Sequence, residues 1–201
     1  TISTCINWLL EDNTETLDKQ SIEYIDTVEE AINDMDKLIS STLQYSEIRT
    51  SKIETVNRLE LETVIHTIKT LFTNNESKDF VINVVKPLPV VSLTEVKAKQ
   101  IFQNLIENAY KYRDLDKNSF VTIDYEEHPS YYEFSVKDNG IGIDKQYHGI
   151  IFDAFKKLNN RSDSSGFGLF IVKKIITSEG GEIRLESEIG LGTTFYFTLM
   201  K

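Results

Sequence analysis

The chain has 201 residues, 23.1 kDa and 40% apolar side chains, enough to pack a core, which excludes a disordered tail. Its formal net charge of -10 argues against nucleic acid or an anionic membrane as the main partner. The single Cys5 excludes an internal disulfide framework and fits a reducing, cytoplasmic compartment; no leader pattern opens the chain, and no apolar run approaches the roughly 20 residues of a membrane helix.

Residues 1–52 contain neither Pro nor Gly and read as helical. Ile2, Ile6 and Leu9, with Trp8 and Leu10 alongside, are followed by a polar, turn-like stretch from Glu11 to Asp18. A second run, Ile25, Val28, Ile32, Met35, Ile39 and Thr42, alternates steps of three and four, the spacing of a bundle seam. Two antiparallel helices are expected, and a pair cannot cover its own apolar stripes. A homodimeric four-helix bundle is therefore predicted, with packing onto the rest of the chain as the alternative. Charge separates the two parts: residues 1–50 hold eleven acidic and three basic side chains, whereas the remaining 151 hold 21 and 19.

From residue 53 the periodicity changes. A short strand within 54–60 leads into a helix from Leu61 to Phe72, and Asp79 to Val85 is rich in β-formers. Pro87 and Pro89 mark an extended crossing before a long helix from Thr94 to Tyr112, capped by Ser92 or Thr94. Two alternating strands follow, Phe120 to Glu126 and Tyr131 to Lys137, turning at His128-Pro129-Ser130. A helix from Gly168 to Ser178 and strands Glu182 to Glu188 and Thr193 to Met200 complete the pattern. Segregated helices and largely antiparallel strands predict an α+β, two-layer sandwich over 53–201.

Seven of the nine glycines lie between Gly140 and Gly181. Glycine is needed where the backbone takes positive φ or must approach a ligand. Asp138-Asn139-Gly140-Ile141-Gly142 follows a strand, and Ser164-Ser165-Gly166-Phe167-Gly168 precedes an apolar helix whose N-terminal amides suit an anion. Neither is a Walker loop or a dinucleotide fingerprint. On the long helix, Asn104 and Asn108 stand one turn apart and precede Lys111 and Tyr112. Neutral amide oxygens suit a hard divalent cation already ligated by phosphates; a lysine suits a phosphate, and a tyrosine can cover a base.

In order and spacing these segments resemble the histidine-kinase branch of the gyrase, chaperone and MutL ATPase superfamily, over about residues 53–201. Asn104 to Tyr112 looks like the N box, with Asn108 in the Mg²⁺-ligand position. Asp138 to Ile143 looks like the first glycine box, whose aspartate accepts from the adenine amine. Ile151 to Leu158 resembles the F box and the start of the lid, Gly166 to Leu169 the second glycine box, and Gly190 to Phe195 the closing strand. The resemblance implies a Bergerat-type fold that binds ATP and Mg²⁺. It assigns nucleotide contacts to Asn104, Asn108, Lys111, Tyr112, Asp138, Gly140, Gly142, Ile143, Phe155, Lys157, Arg161, Gly166, Phe167, Gly168, Leu169 and Thr193. Catalytic roles fall to Asn108 and Lys111, with Glu107 as a candidate base.

Two departures stand out: Ser164-Ser165 occupy the place of a Gly-Thr pair, and Phe170 that of a small residue. The short lid resembles that of phytochrome-like kinases. What the resemblance implies is transfer of the ATP γ-phosphoryl group to a histidine of the hairpin and then to an aspartate of a response-regulator receiver domain. An upstream sensor is implied in the parent protein, which is either soluble or membrane-anchored. None of His66, His128 and His148 has the acceptor context. The hairpin is thus expected to begin beyond the acceptor, and the fragment to bind ATP without autophosphorylating. A non-catalytic nucleotide-binding scaffold and an ATP hydrolase are the alternatives.

Overall fold

Alternation along three strands decides which face of the sheet is buried. In β4 (Ser119–Glu127), β5 (Tyr131–Asp138) and β7 (Gly192–Met200), the side chains of Val121, Ile123, Phe134, Val136, Phe195, Phe197 and Leu199 are all buried. The intervening Thr122, Glu133, Ser135, Thr194 and Tyr196 keep partial exposure on the other face. The computed structural model describes residues 58–73, 80–154 and 166–201, together with positions 17, 18, 20–22, 24, 25, 27, 28, 32 and 35. With β1 (Arg58–Glu60), β2 (Phe80–Val84), β3 (Val90–Ser92) and β6 (Ile183–Glu188) it contains a five-stranded sheet of order β2-β4-β5-β7-β6 and a two-stranded ribbon of β1 and β3.

The sheet is mixed. Antiparallel pairing holds from β4 through β6, as the sequence predicts, but β2 runs parallel to β4. The reason is the connection: between them the chain passes through a long helix, which returns it to the end of the sheet from which β2 began. The segment expected only as an extended crossing after Pro87 and Pro89 contains β3, which pairs with β1 outside the main sheet.

Three helices cover the buried face: α1 (Leu61–Thr73), α2 (Glu95–Lys111) and α3 (Gly168–Ser178). Each contributes an apolar stripe, such as Leu61, Val64, Ile65 and Ile68 of α1 or Ile171, Val172, Ile175 and Ile176 of α3. Phe102 of α2 stands edge-on to Phe134 and Phe197, with ring centroids 5.8 and 5.6 Å away. Of the two expected caps, Thr94 is the one used: its hydroxyl accepts from the Lys97 amide, whereas Ser92 is engaged in β3. Lys97 Nζ, almost fully buried, reaches Glu179 Oε1 at 2.7 Å and ties the start of α2 to the end of α3.

In the leading segment, Asp18 begins a helical stretch, its carboxylate accepting from the Ser21 amide at 2.7 Å. The Ser21 side chain first, and its backbone amide second, hold the Asp18 carboxyl below its ordinary range. On the seam, Ile32 is buried and Ile25 half-buried, while Val28 and Met35 are exposed. The first helix, most of the polar stretch, Ile39, Thr42 and the junction at 52/53 lie outside the described residues.

Candidate functional site

Asp138 ends β5, two residues beyond the buried Val136 and on the same face of the strand. Its Oδ1 accepts two backbone N–H groups, from Gly140 at 2.8 Å and from Thr193 on the neighbouring strand at 3.1 Å. Burial raises its carboxyl above the ordinary range, and the two amide bonds partly oppose that rise. The result is a desolvated carboxylate with one oxygen fixed by the fold.

The loop after Asp138 is fastened on three sides. The Ile141 amide donates to the carbonyl of Tyr112, the C-cap of α2, at 3.0 Å. The Ile141 carbonyl accepts from Gly190 at 2.9 Å in the β6–β7 turn. The Ile143 amide donates to Ser187 Oγ at 2.8 Å, and that hydroxyl also meets the Gly192 carbonyl and Thr193 Oγ1. His148 adds a fourth tie, its Nε2 3.0 Å from the Ile143 carbonyl, so this histidine is structural.

Two glycines are demanded by this packing. Gly142, at φ +73°, would drive a methyl group into the Glu188 carbonyl, and Gly192, at φ +100°, into that of Asp138. The glycine box and the closing strand therefore touch backbone to backbone.

The second half of the site is built from helices. The α3 N-terminus begins at Gly168, directly against Asn104 of α2: a methyl at Gly168 would collide with the Asn104 amide oxygen. Phe167 is the α3 N-cap and supplies no side-chain cap, and the positive end of the helix dipole lies there. Gly166 takes φ +65° just before it, and Leu169 lies half-buried in the first turn. Asn108 is half-buried one turn beyond Asn104. Asn104 itself donates its NH₂ to the Gln100 carbonyl one turn back in α2, at 2.7 Å. Lys111 Nζ lies 5.6 Å from the Tyr112 ring centroid, and both follow Asn108 at the end of α2.

The predicted residues thus fall into two groups. Asp138, Gly140, Gly142, Ile143 and Thr193 converge at the end of β5; Asn104, Asn108, Lys111, Tyr112, Gly166, Phe167, Gly168 and Leu169 gather at the α2–α3 side, joined to the first through the Tyr112 carbonyl. Glu107 is exposed and its carboxylate accepts from Gln103 at 2.7 Å. Phe155, Lys157, Arg161 and the Ser164-Ser165 pair lie outside the described residues. Phe170, noted as oversized, packs its ring 4.9 Å from that of Phe167.

Ser187 and Asn139 were not foreseen. Asn139 accepts from the Phe120 amide and donates to the Asn118 carbonyl, both at 2.9 Å, and so clamps the loop to the start of β4. The Asp-Asn pair after a strand is a signal for such a turn, but nothing near Ser187 in sequence marks its partner 44 residues away.

Residues 94–201 match the model of the family described as "Histidine kinase-, DNA gyrase B-, and HSP90-like ATPase". The chain is 35% identical over 199 residues to cyanobacterial phytochrome B of Nostoc sp. PCC 7120, covering 96% of this chain and 26% of that protein. Its fold is similar to the catalytic domain of histidine kinase ThkA, with 26% identity, a TM-score of 0.59, and coverage of 72% of this chain and 95% of that one. ThkA in complex with the response regulator TrrA gives a TM-score of 0.67 at 23% identity, over 98% of this chain and 57% of that one. The chain spans about a quarter of the length of the curated relatives it matches.

Proposed function

Given that the chain belongs to the histidine kinase-, DNA gyrase B- and HSP90-like ATPase family, we propose that it is the ATP-binding catalytic module of a sensor histidine kinase. The observation that carries the reading is Asp138: a half-buried carboxylate with Oδ1 held by two amides leaves Oδ2 to accept from the exocyclic amine of adenine. Guanine has no amine at that position. Thr193 and Ser187 hold the wall beside the base, and Ile143 and Gly142 its edge.

The phosphates then lie towards α2 and α3, where the uncapped α3 N-terminus favours negative charge. Asn108 fits a Mg²⁺ ion that shares the phosphates: its amide is neutral, half-buried, and one turn beyond the Asn104 that faces that helix end. When bound, Mg²⁺ offsets phosphate charge and polarises the γ-phosphoryl group. Lys111 steadies the triphosphate, with Lys157 or Arg161 from the lid. Glu107, exposed and accepting from Gln103, keeps its place as the candidate base.

In the parent protein the γ-phosphoryl group passes to a histidine of the hairpin and then to a receiver-domain aspartate. The hairpin seam, on which Val28 and Met35 remain exposed, mediates homodimerisation. The test is calorimetry with a non-hydrolysable ATP analogue, with and without Mg²⁺, beside the guanine analogue. Saturable, Mg²⁺-strengthened, adenine-selective binding is expected. Equal affinity for the guanine analogue would remove Asp138 from its role. With labelled ATP, the 201-residue chain is expected to form no acid-labile phosphohistidine.

A further inference from the structure

The end of β5 remote from Asp138 carries a second cluster of chemically competent side chains. In the β4–β5 register Glu126 stands directly opposite Glu133. His128 donates its backbone N–H to the Tyr131 carbonyl at 2.9 Å, which continues the ladder by one pair. Strand alternation therefore sets Glu126, His128, Tyr131 and Glu133 on one face, the side of the sheet opposite α1, α2 and α3.

Two carboxylates directly opposed across a hairpin repel each other. Arg184 answers one of them in part: it lies 3.3 Å from Glu133 Oε1 but shares its charge with Glu186 at 3.0 Å. Among the described residues, no basic side chain pairs with Glu126. A ring nitrogen of His128 and one carboxylate oxygen from each glutamate all lie within 4.8 Å of one another. The imidazole is held in place by stacking on Tyr131, with ring centroids 4.5 Å apart and planes 20° off parallel. Its Nε2 is shielded from solvent with no hydrogen-bond partner among the described residues. The hairpin is braced on its other face by Lys201, which pairs with Glu127 at 2.7 Å.

We propose that Glu126, His128 and Glu133 bind a borderline divalent cation of the Zn²⁺ type, with water completing four-coordination. One imidazole and two carboxylates form a mixed N/O donor set that zinc accepts, whereas Mg²⁺ prefers oxygen alone. Tetrahedral bonds of about 2.0–2.2 Å place donors roughly 3.4 Å apart. The exposed Glu126 side chain closes the remaining gap by torsion, without moving the backbone. The cation replaces a like-charge contact by a shared positive centre and fastens β4 to β5 at the mouth of the hairpin. At a rise of about 3.4 Å per residue, the length of β5 separates it from Asp138 by roughly 20 Å, so it is distinct from the nucleotide site.

The test is Zn²⁺ titration of the nucleotide-free chain in a Cys5→Ser background, which removes the sole thiol. Imidazole resonances are followed by NMR and stoichiometry by calorimetry. One equivalent is expected to bind, shifting the resonances of His128 and leaving those of His66 and His148 in place. Affinity should fall at least tenfold in His128→Gln and Glu133→Gln, and Zn²⁺ should raise the melting temperature of the parent but not of the variants. If either variant fails to fold, Glu126→Gln at the exposed position is expected to show the same loss. A His128 resonance indifferent to Zn²⁺, or affinity retained in the folded variants, overturns the proposal.

Discussion

The two halves of the nucleotide site are built by different means. The half around Asp138 is laced by short bonds: a carboxylate with two amides, a serine serving three partners, and glycines packed against facing carbonyls. The half around Asn108 is placed by helix packing, through the contact of Gly168 with Asn104 and the Lys97–Glu179 pair at the far ends of the same helices. The first half is shaped to its ligand by the fold itself. The second offers a helix terminus and an amide side chain whose partners arrive with the ligand. Under the proposed function, the base would meet a preorganised wall, and charge would be handled by the phosphates and their cation.

Four substitutions and one control break or sharpen this contrast. The largest effect is expected from Asp138→Asn. The asparagine oxygen can keep both amide bonds, but its NH₂ meets the adenine amine donor to donor. A charged hydrogen bond is lost, worth about 1.5–3 kcal/mol, so affinity for the ATP analogue should fall roughly tenfold to a hundredfold. Calorimetry reads this, and affinity within threefold of the parent would refute base reading by Asp138.

The same variant has a signature in the free protein. Because the folded carboxyl titrates above its unfolded value, the native state binds more protons than the unfolded chain between the two values. This group's contribution to stability is therefore greatest at acid pH and declines as pH rises through the folded value. Asp138→Asn should flatten that part of the stability–pH curve measured by denaturant unfolding.

Asn108→Ala should leave the other half intact. Adenosine affinity is expected to stay within about twofold, while the strengthening of ATP-analogue binding by Mg²⁺ largely disappears. Loss of adenosine binding would show that the halves are not separable.

Next comes Gly192→Ala. A methyl forced into the Asp138 carbonyl at positive φ should cost about 1–3 kcal/mol and lower Tm by several degrees. Gly149→Ala, where a methyl meets nothing within 4 Å, should leave Tm within about one degree. Smallest is Ser187→Ala: it strips the Ile143 amide of its partner, and about 1 kcal/mol of stability is expected to go, with base affinity reduced more than phosphate-dependent affinity. The calorimetric comparison of adenosine with the ATP analogue decides that split.

How legible this was depends on the range of each interaction. The alternation of β4, β5 and β7 and the apolar stripes of α1, α2 and α3 are local patterns, and they emerge within a residue or two of their predicted bounds. Asp138 and the glycines were legible because positive φ and close approach leave a compositional trace. Ser187 left none, since its role exists only once the β6–β7 turn lies on the loop after β5. The parallel pairing of β2 was hidden for a related reason: strand direction is set by the connection, not by the strand's own residues. Asn104 shows what spacing alone leaves out: its NH₂ donates to the Gln100 carbonyl one turn back in α2, and its Oδ1 faces Gly168 at the start of α3.

Tyr112 is a hinge pin between two elements. Its N–H donates to the Asn108 carbonyl and closes α2, while its carbonyl receives the Ile141 amide, so the loop after β5 hangs from the last turn of the helix that carries Asn108. Asn108 lies four residues upstream, about 6 Å along the axis of a stiff rod. Any tilt of α2 is therefore handed to the Asp138 loop through one peptide unit, and the two halves move as a single lever.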